Sequence, residues 1–168
     1  MTLDGLLQNA RTLQDAMDSG QLAKTVLERH EQDIVEQQRI QLLEGKTSEG
    51  EDIHPSYSED VKPSGYFKSR ESASRYAAWK QTLSYPYNVS RNPDSPNLYI
   101  TGVFHNDLGV EFGADSVAIV PDTAYAANIM AKYGRMMFGL AMERWGIIWD
   151  DKGAKDELLT EMENILWQ

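Results

Sequence analysis

Three histidines, one Gly-Lys-Thr triplet and a surplus of carboxylates are what this chain offers for chemistry. His30, His54 and His105 are its only imidazoles, and none has a second histidine at metal-ligand spacing. Asp52-Ile53-His54 could give two ligands from one loop, but no third is evident. A hydrolytic triad using Ser56 or Ser58 stays open, because triads assemble in space. Neither serine has the glycine flanks of a nucleophile turn; Ser56 is followed by Tyr57. The expectation for each histidine is a surface position on a loop, helix or strand.

Gly45-Lys46-Thr47 matches the end of a phosphate-binding loop. That motif needs a glycine five residues earlier, where Ile40 stands, and a preceding strand, where the pattern is helical. The acidic stretch Glu44–Asp52 lacks the alternating ligands and the closing glutamate of a calcium loop. Asp107 and Glu111, four apart, share the polar side of a strand, but nothing implies a sugar cleft. The chain has no cysteine, which removes disulfides, thiolate metal sites and cysteine nucleophiles. No catalytic, metal or cofactor-binding residue is therefore assigned, and no cofactor is expected. The reading is a non-enzyme, with a small hydrolase as the third choice.

The elements that would carry these residues follow from periodicity. Leu3, Leu6, Leu7, Ala10, Leu13 and Met17 form one helical stripe over residues 2–18, with Thr2 as N-cap. Ser19-Gly20 interrupts it. A second helix is expected over 21–43, with a weaker stripe and the glutamines 32, 37, 38 and 41 crowding the rest. Such a polar helix suits either solvent or the surface of another subunit. Residues 44–65 read as a long loop that is functional, mobile or tucked under a partner. A short helix is expected over 69–82, then a proline-rich loop.

The clearest strand signal runs from Leu98 to Phe112, with Ser116–Val120 as the second arm of a hairpin around Gly113-Ala114-Asp115. Two strands alone are marginal and need a helix, a third strand or another subunit. Pro121 and Asp122 then open a helix with Tyr125, Ile129 and Met130 inward, closed by Gly134. A further helix is expected over 135–145, with a short strand as the alternative at 145–151. The last helix covers about 154–167 and ends on Trp167, a large aromatic that needs a docking surface.

The predicted fold is α+β. N-terminal and C-terminal helices pack on a small, mostly antiparallel β-sheet, with residues 1–43 as a helical arm and 44–168 as the core of what is one domain overall. The chain has 168 residues and a net charge of -10. At this size about 8,400 Å² of surface is expected in the folded state against about 27,500 Å² extended, enough to bury a core. Residues 1–60 hold 5 basic and 13 acidic residues, and residues 61–121 hold 6 and 5. Acidic flanks around a near-neutral centre argue against specific nucleic-acid binding and anionic membranes. No apolar run is long enough to span a bilayer. No signal-peptide pattern opens the chain.

The segment Leu98-Tyr99-Ile100-Thr101-Gly102-Val103-Phe104-His105-Asn106-Asp107-Leu108 resembles a pattern of small neck and tail-completion proteins of tailed bacteriophages. Gln38–Gly45, Pro55–Ser58 and Tyr133–Leu140 resemble flanking segments of the same family, so the likeness spans residues 35–148. Thr101, Gly102 and Leu108 match its motif; Asp107 stands where serine is more usual. The resemblance implies a structural virion protein, a head–tail connector ring subunit without catalysis. It implies assembly in the host cytoplasm and residence in the virion. Its partners would be its own copies and portal, adaptor or tail proteins, with DNA passing through the ring lumen. A non-ring adaptor is the alternative. The interface candidates are Tyr99, Thr101, Gly102, Phe104, Leu108, Phe112, Phe138, Trp145, Trp149 and Trp167.

Overall fold

A computed structural model of the chain describes residues 2–113 and 115–168. The expected hairpin turn at Gly113-Ala114-Asp115 includes Ala114, which lies outside the described residues. Helix α1 (Leu3–Asp18) begins where Thr2 Oγ1 accepts the Gly5 N–H at 3.2 Å. Gly20, with φ 68°, ends the connection and opens α2 (Gln21–Arg29). The single helix expected over 21–43 is in fact two. His30, at φ -99° and ψ 16°, breaks it before α3 (Glu31–Leu43).

Helix α3 is the centre of the molecule, and of its four glutamines only Gln32 faces solvent. Gln37, Gln38 and Gln41 are buried. The Gln38 amide donates to Met137 O at 3.0 Å and accepts from Gly139 N at 2.9 Å. The Gln41 amide donates to Gly139 O at 2.8 Å and accepts from Ala141 N at 2.8 Å. Two side-chain amides thus pair with the extended segment 137–141 as a neighbouring strand would. This is why the helix expected over 135–145 does not form as one piece. A 3₁₀ turn (Arg135–Met137) gives way to extended chain at Phe138, and Gly139 takes φ 106°. Helix α7 (Met142–Gly146) then starts and runs into a π-helical turn (Ile147–Asp151), so the alternative strand there is absent.

The sheet has two antiparallel strands, β1 (Leu108–Phe112) and β2 (Val117–Pro121). Leu108 pairs Pro121, Val110 pairs Ile119 and Phe112 pairs Val117. The period-two alternation puts these apolar residues on one face, where they join the core. The expected strand over 98–107 is replaced by a loop and the single-turn helix α5 (Val103–Asn106). Gly102 at φ 85° breaks the extended run, and Asp107 N–H closes the turn on Val103 O at 3.1 Å. Pro121 ends β2 rather than opening a helix, and α6 (Ala126–Tyr133) starts later.

The terminal helices complete a small α+β domain on this sheet. Helix α3 lies against β1, and α8 (Ala154–Leu166) packs on α1 and α2. One hydrophobic cluster joins Val26, Leu27, Ile34, Val35 and Leu42 to Ile53, Phe104, Leu108, Ile119, Met137 and Ile148. A second cluster, Tyr57, Phe67 and Ala73 with Tyr76, fastens the long loop to α4 (Arg70–Gln81). Ser69 and Ser72 cap α4 reciprocally. Among the described residues, no helix is long and apolar enough to cross a membrane.

Candidate functional site

A cavity of about 410 Å³ opens where the Thr101-Gly102 turn meets α4 and α6. Tyr57 and Tyr76 come from the second cluster, Tyr125, Ile129 and Tyr133 from α6 and its cap, and Phe104 from α5. The walls are apolar and aromatic, as ligand sites usually are. Ile100, Val103 and Tyr125 all line the cavity and are exposed.

Lys80 supplies the one charged group among the lining residues. It sits in the last turn of α4 and is only 1% exposed. Its ammonium donates to Tyr99 O, and among the described residues no carboxylate lies within ion-pair distance of it. Burial, with Arg91 adding like charge, pushes its pKa down to about 8. The phenols move the other way. Burial raises Tyr57 and Tyr133 and brings Tyr76 up to about 12, so all three stay neutral at pH 7.

The turn that closes the cavity is held under strain. Leu98 adopts φ 55°, the left-handed region that a leucine seldom occupies. Gly102 at φ 85° can do so freely, and a Cβ there would come to 3.3 Å from the Tyr99 ring. Beneath the turn, His105 Nε2 donates to the Asn97 carbonyl at 2.8 Å, and the Asn97 side chain accepts Tyr99 N–H at 3.2 Å. His105 Nδ1 and Asn97 Nδ2 are buried with no partner.

Compared with family models, curated proteins and solved structures, the chain matches none.

The interface candidates fall in four places, some of which overlap. Thr101, Gly102 and Phe104 line the cavity, and the Tyr99 ring backs Gly102. Trp145 and Trp149 line a second, more open apolar groove with Leu27, Val117 and Met142. Phe104 and Leu108 belong to the core, and Phe112, Phe138, Trp145 and Trp149 pack against it. Trp167 stands apart at the end of α8, 65% exposed.

The expectation of a surface position for each histidine fails for two of the three. His105 is buried in the core, and His30 is buried at the α2–α3 break. His30 Nδ1 lies 3.1 Å from Asp33, while Nε2 is 3.2 Å from Glu157 without hydrogen-bond geometry. His54 is exposed and meets Glu59 at 2.6 Å, which raises its pKa. The Ser56 hydroxyl contacts Ser58 Oγ at 3.2 Å and accepts from Glu59 N, and Ser58 Oγ donates to Asp94. Neither serine hydroxyl bonds an imidazole among the described contacts. Among the described residues no group of three potential ligands could hold a metal ion. Gly45, Lys46 and Thr47 serve the loop. Lys46 pairs with Asp52 at 2.8 Å, and Gly45 makes room for Ser95.

Lys80 is the residue that sequence reading missed. It shares an approximate helix face with Ala73, Tyr76 and Ala77. The available signal was that pattern, which puts a lysine on the apolar side of a helix.

Proposed function

We propose that the chain is a structural subunit of a tailed-phage virion, one of a ring of identical copies at the head–tail junction in a neck or tail-completion role. It would be assembled in the host cytoplasm and would meet portal, adaptor or tail proteins as well as its own copies. The phage assignment rests on the Thr101-Gly102 pattern and its flanking segments. The observation that carries the assembly role is apolar surface left unburied. Helix α1 has no buried residue, and Leu3 and Leu7, on one face of it, are 72% and 51% exposed. The whole chain exposes 10079 Å², whereas a compact monomer of this size exposes about 8,400 Å². The excess, about 1,700 Å², is close to what two standard interfaces take from one subunit at about 800 Å² each. A subunit in a closed ring has two such faces, since each copy presents different surfaces to its two neighbours.

Light scattering on the purified chain, alone and mixed with portal or tail components, tests this. A discrete oligomer with a ring outline in electron micrographs is expected. Leu3→Ser with Leu7→Ser should weaken that oligomer without lowering the melting temperature by more than a degree or two, because neither side chain is buried in the monomer. A chain that stays monomeric at high concentration and with every such component overturns the proposal.

A further inference from the structure

The cavity at the Thr101-Gly102 turn holds a cation without a counter-ion. Taking an ammonium out of water is costly unless an anion or a full set of hydrogen bonds replaces the solvent. Lys80 has three N–H donors, and Tyr99 O is the acceptor found for it. Among the described residues the neighbouring cation Arg91 also meets no carboxylate. Its guanidinium donates to Ser95 O at 3.1 Å and to the Tyr85 hydroxyl at 3.4 Å, and it sits 5.7 Å from the Tyr85 ring centroid. In a chain with 26 acidic residues against 16 basic ones, this absence of acids is a local property of the site.

The rest of the cavity is suited to an apolar body. Tyr57, Tyr76, Tyr133 and Phe104 give it ring faces and edges, and Ile129 adds an aliphatic wall. Its volume, about 410 Å³, lies within the range of small-molecule sites, about 300–1,000 Å³. The strained backbone at Leu98 is part of the lining, and such strain is concentrated at binding sites more often than elsewhere.

We infer that this cavity binds a small aromatic carboxylate, with the ring between the tyrosines and the carboxylate paired to Lys80. The inference stands on the cavity alone and does not depend on the ring-assembly reading. An anion at Lys80 would offset the desolvation of the ammonium, and the neutral phenols could donate to the second carboxylate oxygen.

Calorimetric titration of the full chain with indole-3-acetate and with its neutral analogue indole-3-acetamide tests the inference. The protein is first fractionated by size, so that its oligomeric state is known and a failure to bind is separable from a failure to assemble. The acid should bind at least tenfold more tightly than the amide. Lys80→Met should bring the acid down to the affinity of the amide and leave the amide unchanged. Val103→Trp, at an exposed position on the cavity lining, should abolish both and supplies a second variant if Lys80→Met fails to fold. Equal affinity of acid and amide for the wild-type chain overturns the inference. So does no binding of either, an acid preference that survives Lys80→Met in the folded variant, or, where that variant does not fold, an acid affinity that survives Val103→Trp.

Discussion

Acidification should unfold this protein partly through one buried imidazole. His105 is 2% exposed. Its pKa is held at about 4, against 6.5 for a free imidazole. Burial is the main cause. The hydrogen bond to Asn97 O opposes it, and the positive charges of Lys80 and Arg39 add to it. The Arg39 guanidinium reaches the carbonyls of His105 at 2.7 Å and Asn106 at 3.1 Å. The folded state therefore keeps the ring neutral where the unfolded chain would protonate it. Above pH 6.5 both states hold a neutral ring and the group adds no pH dependence. As pH falls from 6.5 towards 4 the unfolded state takes up a proton that the folded state refuses, and stability drops. Below pH 4 both are protonated and the loss is complete. At about 1.4 kcal/mol per pH unit the full loss is about 3 kcal/mol, of which about 2 kcal/mol falls between pH 7 and about pH 4.5.

The carboxylates of an acidic chain also titrate in this range, so the wild-type curve alone decides nothing. His105→Gln supplies the comparison. Glutamine can place an amide N–H near the position of Nε2 and keep the bond to Asn97 O, but it cannot take up a proton. Urea denaturation of both proteins across that pH range isolates the imidazole. The wild type should lose about 2 kcal/mol more than the variant on going from pH 7 to about 4.5. Parallel curves, with a gap constant to about 0.5 kcal/mol, would refute the reasoning, because they would mean that the folded state protonates His105 as easily as the unfolded one does.

Two other substitutions test the architecture. Gln38→Leu removes both bonds to the 137–141 segment and leaves Met137 O and Gly139 N unpaired. A loss of about 3 kcal/mol in urea denaturation is expected, with faster hydrogen exchange at the Gly139 amide. Gly45→Ala must hold φ 74° and place a Cβ 2.6 Å from Ser95 Oγ, which itself donates to Gly45 O at 2.8 Å. Thermal unfolding should show a loss of about 2 kcal/mol or more, from left-handed strain and the displaced hydroxyl together.

Where local pattern decides structure, the sequence was readable. The N-cap at Thr2, the alternation Leu108-Val110-Phe112 and the stop at Gly134 all act within a few residues, and each sits where expected. The errors come from partners far along the chain. Residues 135–145 have helical spacing, but Gln38 and Gln41, about a hundred residues earlier, pull their backbone into an extended segment. A glutamine does not announce whether its amide will meet water or a backbone. Leu98–Asn106 has the composition of a strand, yet the positive φ at Leu98 and Gly102 and the bond from His105 to Asn97 O fold it back on itself. The cavity lies at the Thr101-Gly102 turn that this backbone makes. The lysine beside it was legible only as a polar residue on the wrong side of a helix.

The charge distribution gives this region a further meaning. Lys80, Arg91 and Arg39 each direct their donors to backbone carbonyls, of Tyr99, Ser95, His105 and Asn106. Carbonyls satisfy hydrogen bonds but do not cancel charge. A buried or half-buried cation held this way keeps its field, and low-dielectric surroundings screen it less than water would. By contrast, Arg29 in α2 and Lys152 after the π-helical turn are neutralised. Arg29 meets Glu161 at 2.7 Å and Lys152 meets Asp33 at 2.8 Å. Lys132, Lys46 and Arg144 likewise meet acids, at 2.6, 2.8 and 2.5 Å, so pairing is not confined to one side of the molecule. The uncancelled field of Lys80 is therefore a local feature of the cavity. That field is what a carboxylate entering the tyrosine-lined cavity would meet.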